Sequence, residues 1–146
     1  MKNFSLLACL GGVTFLFGLK EAAVAGGSDN FANATVITDV SAPITGSNVE
    51  STGEFGEPNH NNVSEPINSV WWQWTAPFDG QLVITTEGSS FDTTLAVYTG
   101  LSLTSLNEVV SNDDIVSGVQ RASKVSLSVA SGEVYWIAVE PQILIS

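Results

Sequence analysis

Hydrophobic and polar residues alternate along most of the chain, and the alternation is clearest at residues 125–129, where valine and leucine are separated by serines. Successive side chains of a β-strand point to opposite faces, so this pattern predicts a strand with one buried face. Residues 69–100 contain three strand-like runs, separated by Pro-Phe-Asp-Gly at 77–80 and Gly-Ser-Ser at 88–90. Because these residues favour turns, the segment is predicted to form a three-stranded meander.

No long segment beyond residue 25 has the period of an amphipathic helix, and turn residues recur between short alternating runs. This pattern is typical of an all-β domain, and we predict a single antiparallel β-sandwich, jelly-roll-like, with about seven to nine strands. The inward-facing positions give the predicted core, which consists of Val70, Trp72, Trp74, Leu82, Ile84, Leu95, Val97, Val125, Leu127, Val129, Ile137 and Val139.

The first 25 residues combine Lys2, an apolar run over residues 4–19 and the small-x-small sequence Ala-Val-Ala at 23–25. These are the three parts of a secretory signal peptide, so residues 1–25 are predicted to be removed and residues 26–146 to form the mature domain. The apolar run is shorter than the roughly 20 residues that a membrane-spanning helix needs. An N-terminal anchor that is retained is the alternative interpretation.

The protein has one cysteine and a formal net charge of −11. Cys9 lies in the predicted signal, so the mature domain has no disulfide and must be held by packing or by a bound ion. Without Lys2, Lys20 and Glu21, two basic residues remain against fourteen acidic ones, a formal charge of −12. Because nucleic acids and anionic membranes attract basic surfaces, we expect neither as a partner of the mature domain.

Six motifs follow one another between residues 29 and 140. They are D-N-F-A-N-A-T (29–35), G-E-P-N-H (56–60), S-V-W-W-Q-W-T-A-P (69–77), F-D-T-T-L-A-V-Y-T-G (91–100), S-N-D-D (111–114) and Y-W-I-A-V (135–139). In this order and spacing they resemble a bacterial pre-peptidase C-terminal-like (PPC-like) domain. The resemblance implies a small extracellular β-sandwich, often appended to secreted hydrolases or repeated in surface proteins, without catalytic residues of its own.

The PPC-like pattern continues through a glycine-rich turn to one more strand, whereas here the sequence after Glu140 is Pro-Gln-Ile-Leu-Ile-Ser. Pro141 cannot donate a hydrogen bond to a neighbouring strand, so it predicts a break at this point. Two interpretations remain open: the apolar tail at 142–146 serves as an abbreviated strand, or the sandwich lacks its last strand. A missing strand would expose a sheet edge, and exposed edges pair with other chains.

The densest group of oxygen-bearing side chains is Ser-Asn-Asp-Asp at 111–114, at the end of a predicted strand. Carboxylate and amide oxygens suit calcium, whereas general acid–base catalysis needs a carboxylate in an apolar setting. We therefore predict a calcium site formed by Asp113 and Asp114 with Asn112 and Asp92. The alternative is a structural role, in which these residues form turns and Asp92 caps backbone N–H groups before the strand that contains Leu95.

His60 is the only histidine, and a Ser-His-Asp triad would have to include it. It lies in the polar loop at 50–68, beside three asparagines, where a turn-stabilising or solvated role is expected. One histidine without a mature cysteine also cannot form a usual zinc site. A small secreted glycosidase or peptidase with paired carboxylates remains the competing functional class, because many acidic residues offer such pairs.

Trp71 and Trp136 point to the strand face opposite to that of the predicted core residues. On that face they could form an exposed surface that stacks on sugar rings. The alternative is that a loop covers this row. Taken together, the residues and the resemblance predict a non-catalytic binding module, secreted, periplasmic or at the cell surface. Its expected partners are an extracellular protein, a polysaccharide or another cell-surface component.

Overall fold

The computed structural model describes residues 3–10, 26–62 and 66–142, with the backbone alone for residues 3–10 and 62. Nine strands lie in this part of the chain: β1 Asn3–Leu10, β2 Thr35–Ile37, β3 Ile44–Ser47, β4 Val70–Thr75, β5 Gly80–Thr85, β6 Thr93–Thr99, β7 Asn107–Asn112, β8 Lys124–Val129 and β9 Val134–Pro141. Three single 3₁₀ turns accompany them, at Phe31–Asn33, His60–Asn62 and Leu103–Ser105.

The strands form two sheets, which confirms the predicted all-β sandwich. One sheet has the order β3-β1-β5-β8 and the other has the order β2-β4-β9-β6-β7. Neighbouring strands are antiparallel except β2 and β4, which run parallel with Thr35 opposite Trp72. The meander prediction holds for the strands but not for their pairing, because β5 leaves the tryptophan strand β4 and joins the other sheet.

The main core lies between the sheets and contains every residue of the predicted core set. Alternate residues of β8 are buried and exposed, as expected for a strand with one face towards water. Trp72 and Trp74 of β4 point into this core with Ile137 of β9, which lies opposite Trp72. Ile37, Ile44, Ala76 and Tyr135 complete the cluster.

The outer face of β4, β6 and β9 in the five-stranded sheet is also buried, by the loops around Phe31 and Leu103. Trp71 is fully buried there, and its ring meets the ring of Phe31 edge to face at 5.3 Å. Trp136 is partly buried and stacks at 4.2 Å from Phe31, while its indole N–H donates to the backbone oxygen of Gly100. The second tryptophan row is therefore covered by loops, and it offers no exposed platform for a sugar ring.

The first half of the segment predicted to be the apolar part of a signal peptide is strand β1 in the structure, and residues 11–25 lie outside the described residues. It lies between β3 and β5 and is antiparallel to both. The predicted cleavage site at 23–25 and the apolar tail at 143–146 lie outside the described residues. No helix within the described ranges is both long enough and apolar enough to cross a membrane.

We expect Trp74→Ala to lower the free energy of unfolding by about 3–5 kcal/mol, because the substitution leaves a large cavity between the sheets. The Trp74 side chain is only 4% exposed. Chemical denaturation followed by circular dichroism would measure the change. Phe78→Ala is the control, since Phe78 is about half exposed. A loss for Trp74→Ala no larger than that of the control would contradict this position in the core.

Candidate metal centre

Three aspartates meet at one end of the five-stranded sheet. Asp92 immediately precedes β6, and Asp113 and Asp114 immediately follow β7. Because β6 and β7 are antiparallel neighbours, with Leu95 opposite Asn112, the start of one strand lies beside the end of the other. One carboxylate oxygen from each aspartate lies within 4.8 Å of the others. The fold thus brings together three of the four residues predicted for the calcium site.

The two oxygens of these carboxylates have different surroundings. The Oδ1 atom is buried in all three residues, and the Oδ2 atom accepts a hydrogen bond in Asp92 and Asp114. Asp92 Oδ2 accepts a hydrogen bond from the Arg121 guanidinium at 3.1 Å, and Asp114 Oδ2 accepts one from the Gly118 backbone N–H at 2.6 Å. The Oδ1 atoms of Asp92, Asp113 and Asp114 are buried without a hydrogen-bond partner in the described part of the chain. Buried oxygens without a donor are costly, and three of them in one place are a site where a cation would be stabilised.

The electrostatics of the cluster are those of crowded carboxylates. Burial raises the pKa of Asp92, the charge of Asp114 raises it further, and Arg121 partly opposes both effects. The pKa of Asp113 is also raised, first by burial and then by the charges of Asp114 and Asp92. Both shifts have the sign expected when like charges meet away from water, and a bound divalent cation would reverse it.

A hydroxyl network fixes the backbone that carries the aspartates. The single Ser123 hydroxyl proton has two carbonyl oxygens within reach, that of Asp113 at 2.7 Å and that of Thr93, and it is donated to one of them at a time. Ser123 N–H donates to Thr86 Oγ1 at 2.8 Å, and the hydroxyls of Thr86 and Thr93 lie 2.6 Å apart. All three hydroxyl residues are buried, so the ends of β5, β6 and β7 are held together before any ion binds.

Asn112, the fourth predicted ligand, has a structural contact beside the cluster. Its Oδ1 atom accepts a hydrogen bond from the backbone N–H of Lys124 at 2.9 Å, which links the end of β7 to the start of β8. An amide oxygen has two lone pairs, so this bond leaves one acceptor position, and a role for Asn112 as a ligand stays a prediction. The carboxylates of the candidate metal centre are Asp92, Asp113 and Asp114.

A second polar cluster lies under the loop at 50–62, and the sequence did not reveal it. His60 is completely buried, and its Nε2 lies 2.9 Å from Glu57 Oε1 while its Nδ1 lies 2.6 Å from the Tyr98 hydroxyl. A proton on Nε2 is donated to the Glu57 carboxylate, and the tautomer of the ring decides which atom donates between Nδ1 and the Tyr98 hydroxyl. Glu57 Oε2 also accepts from the backbone N–H of Glu54 at 2.8 Å. His60 thus stabilises the loop, as one of its expected roles, but it is not solvated.

Glu140 of β9 is the other buried acid in this region. It has 0% exposure, and neither carboxylate oxygen makes a hydrogen bond of normal geometry among the described residues, although the Ile67 backbone N–H lies near. Burial, and then the charge of Glu57, raise the pKa of Glu140 to about 8, while the Ile67 backbone N–H lowers it to a smaller extent. Burial also raises the pKa of the neighbouring Tyr98 hydroxyl, as do the charges of Glu108, Glu140 and Glu57.

The sequence of β9 contained a signal for the burial of Glu140. Side chains alternate between the two faces of a strand, so Glu140 shares a face with Ala138 and Trp136. That face could only be recognised as buried once the loops that cover it were known. For His60, the neighbouring asparagines indicated a solvated loop, and the buried tyrosine that binds it lies 38 residues away in the sequence.

Comparison of the chain with models of known families, with curated proteins and with solved structures finds no match. Any role assigned to the two clusters therefore depends on the residues of this chain and on their contacts.

We expect the stability of the protein to fall as the pH rises from about 5 to about 8. In this range the folded state keeps a proton on Glu140, whose pKa is about 8, while the unfolded chain with the ordinary value of 4.5 has lost it. Stabilisation from this proton is complete below the unfolded pKa and is lost as the pH passes the folded one. Glu140→Gln, which stays neutral, should remove much of this dependence and raise the unfolding free energy at pH 8 by a few kcal/mol, at about 1.4 kcal/mol per pKa unit.

Thermal melts of both proteins across this pH range would measure the effect. Glu133→Gln is the matched control, because Glu133 is exposed and its loss removes the same charge. If the pH dependence of Glu140→Gln equalled that of the parent protein, the buried proton on Glu140 would be ruled out.

Proposed function

We propose that this protein is an exported, non-catalytic binding module of the PPC-like type, whose folded form is completed by a calcium ion at Asp92, Asp113 and Asp114. The observation that carries the metal part is the set of three buried, unpartnered Oδ1 atoms at one strand end. Calcium binds six to eight oxygen ligands and tolerates irregular geometry, so three carboxylates supply the charged part of its shell. Backbone carbonyls or water would supply the rest.

Composition supports the same proposal. The predicted mature domain has no cysteine and a formal charge near −12. A small exported domain without disulfides gains stability from a bound metal, and a highly acidic one gains relief from self-repulsion at the same time. The six motifs that resemble a PPC-like domain support export and a binding role. They also support an extracellular protein, a polysaccharide or a cell-surface component as the partner.

Two exposed apolar side chains indicate the surface on which that partner would bind. Phe55 and Leu101 are fully exposed, although each is large and hydrophobic. The loops that carry them meet at Gly56 and Thr104, because an added Cβ atom at Gly56 would lie 2.8 Å from the methyl carbon of Thr104. Exposed apolar residues that lie together mark interaction sites more often than isolated ones do.

A secreted hydrolase with paired carboxylates is the competing proposal, and one observation favours it. The raised pKa values of Asp92 and Asp113 are what a general acid requires. Burial and mutual repulsion account for both shifts, however, and Arg121 occupies one oxygen of Asp92. We therefore assign the cluster to cation binding.

We expect millimolar calcium to raise the melting temperature of the protein by several degrees relative to EDTA. An ion that binds only the folded state stabilises it by about 2.7 kcal/mol at a hundredfold excess over Kd. For a domain of this size such a gain corresponds to a shift of several degrees. Differential scanning calorimetry in EDTA, calcium and magnesium would measure it, with magnesium as the control for general screening of charge.

The double variant Asp113→Asn/Asp114→Asn should lose the calcium-dependent shift. Glu50→Gln/Glu133→Gln is its matched control, since both of these residues are exposed and the same charge is removed. A calcium shift that persisted in the aspartate variant, or that vanished equally in the control, would leave the aspartates as turn-forming residues.

The binding role predicts capture of a glycan or a surface protein by the exported protein on a glycan array or in a pull-down. Phe55→Ser/Leu101→Ser should weaken that capture at least about tenfold without changing the melting temperature, because exposed side chains contribute little to stability. Val119→Ser, at another exposed apolar position, is the control. Turnover of a peptide or glycan panel that is abolished by Asp113→Ala would support the hydrolase instead.

A further inference from the structure

The loop that carries Phe55 is anchored on both sides of this residue. The carboxylate of Glu54 accepts a hydrogen bond from the backbone N–H of Phe31 at 2.5 Å. On the other side, Glu57 Oε1 lies 2.9 Å from Nε2 of the completely buried His60. The side chain of Phe55 itself is fully exposed. Its exposure therefore belongs to a fixed loop, and a fixed loop loses little conformational freedom when a partner covers it.

Leu101 is presented in a similar way, at the end of β6. The next two leucines, Leu103 and Leu106, are partly buried and pack on the outer cluster of the five-stranded sheet. Leu101 is fully exposed, so it stands out from a turn whose other large apolar side chains are used for packing. The loops of Phe55 and Leu101 meet, and these two side chains define the Phe55/Leu101 surface.

The charged side chains around the Phe55/Leu101 surface are acidic. Residues 21–120 contain no lysine or arginine, and both loops fall within this range. Glu54 and Glu57 flank Phe55 in its loop. Glu108, which is exposed, is the second residue of β7, the strand that follows the loop of Leu101. A surface of this kind attracts basic groups and repels acidic ones.

The two basic residues within the described ranges lie at the opposite end of the sheet. Arg121 pairs at 3.1 Å with Asp92, which precedes β6, and Lys124 lies beside Asn112 at the end of β7. Leu101 follows the other end of β6, whose seven residues span about 20 Å at about 3.3 Å each. This distance exceeds the Debye length of about 8 Å at physiological ionic strength, so neither basic group offsets the acidic charge near Leu101.

We propose that the Phe55/Leu101 surface binds a basic, amphipathic segment of an extracellular protein, whose apolar side chains cover Phe55 and Leu101 while its lysines or arginines face the surrounding carboxylates. The inference rests on the binding role proposed above and assigns the class of partner. Apolar contacts at the centre of such an interface supply the buried area. Opposite charges at its rim raise the rate of association and select the partner.

A polysaccharide fits this surface less well than a protein. Acidic polysaccharides are repelled by the carboxylates around Phe55. Sugar rings stack on exposed aromatic faces, and the loops cover Trp71 and Trp136. One exposed phenyl ring and a leucine are better matched by the apolar side chains of a protein.

Fluorescence anisotropy with labelled synthetic peptides tests the proposal. The first peptide alternates leucine and lysine in the pattern of an amphipathic helix, the second has glutamate in place of lysine, and the third has serine in place of leucine. The leucine–lysine peptide should bind at least about tenfold more tightly than either of the others. Its Kd should rise at least about fivefold between about 10 mM and about 0.5 M salt, because salt screens exposed charges.

The double variant Phe55→Ser/Leu101→Ser tests the apolar contribution. It should weaken binding of the leucine–lysine peptide at least about tenfold, since exposed anchors of an interface carry much of its affinity. Val116→Ser/Val119→Ser, at exposed apolar positions of another loop, is the control and should leave the affinity unchanged. Both variants should melt like the parent protein, because exposed side chains contribute little to stability.

Glu108→Gln tests the charge contribution. Glutamine keeps an oxygen that can accept the hydrogen bond from Ser111 Oγ, which lies 2.7 Å from the Glu108 carboxylate. The variant should weaken binding about two- to threefold at low salt, the effect of one exposed charge. Glu87→Gln is the matched control, because Glu87 is exposed and follows β5, whose last residue Thr85 lies opposite Lys124 at the far end.

The outcomes separate this inference from the binding role on which it rests. Equal affinity for the glutamate peptide, or equal binding of the leucine–lysine peptide by Phe55→Ser/Leu101→Ser, would overturn the basic partner. Capture of a neutral or acidic glycan on an array, lost in that variant, would also overturn it but would leave the binding role of the surface intact. If no peptide and no glycan binds, the inference and the binding role both fail.

Discussion

The constraint on which this structure depends is that the central strands of the five-stranded sheet, β4, β9 and β6, are buried on both faces. Its inner face packs against the second sheet through Trp72, Trp74 and the aliphatic rows of β6 and β9. Its outer face is covered by loops that pack on Trp71 and Phe31. Burial of apolar area is the main stabilising contribution in a domain without disulfides. In this protein one sheet buries apolar side chains in two clusters, one on each of its faces.

Double burial also explains why the polar clusters lie where they do. A polar side chain on either face of this sheet must find a partner inside the protein, and His60 finds Tyr98 and Glu57. Glu140 makes no hydrogen bond of normal geometry in the described chain, and its raised pKa shows that it favours the neutral form there. Charged groups gather instead at the strand ends, where the carboxylates of Asp92, Asp113 and Asp114 meet.

The sequence was sufficient for the fold class and the core, because a period of two assigns each strand residue to a face without knowledge of its neighbours. The meeting of Asp92 with Asp113 and Asp114 was also predictable, since all three flank adjacent strands. The hydrogen bond from the Lys124 backbone N–H to the Asn112 oxygen was not predictable, because it connects the end of β7 to the start of β8. The parallel pairing of β2 with β4 joins segments that are distant in the sequence. The burial of Glu140 depends on the loops that cover its face. Local patterns contain neither kind of information.

The central claim is that the strand-end aspartates hold a metal ion. The most direct test is a crystal structure of the protein grown with calcium, in which anomalous scattering identifies the ion. The account predicts a peak between Asp92, Asp113 and Asp114, with carboxylate oxygens at about 2.3–2.6 Å, the distances typical of calcium. Arg121 should then be displaced from, or share, its carboxylate. No anomalous peak at that position at saturating calcium, with the three Oδ1 atoms still without a partner, would contradict the account.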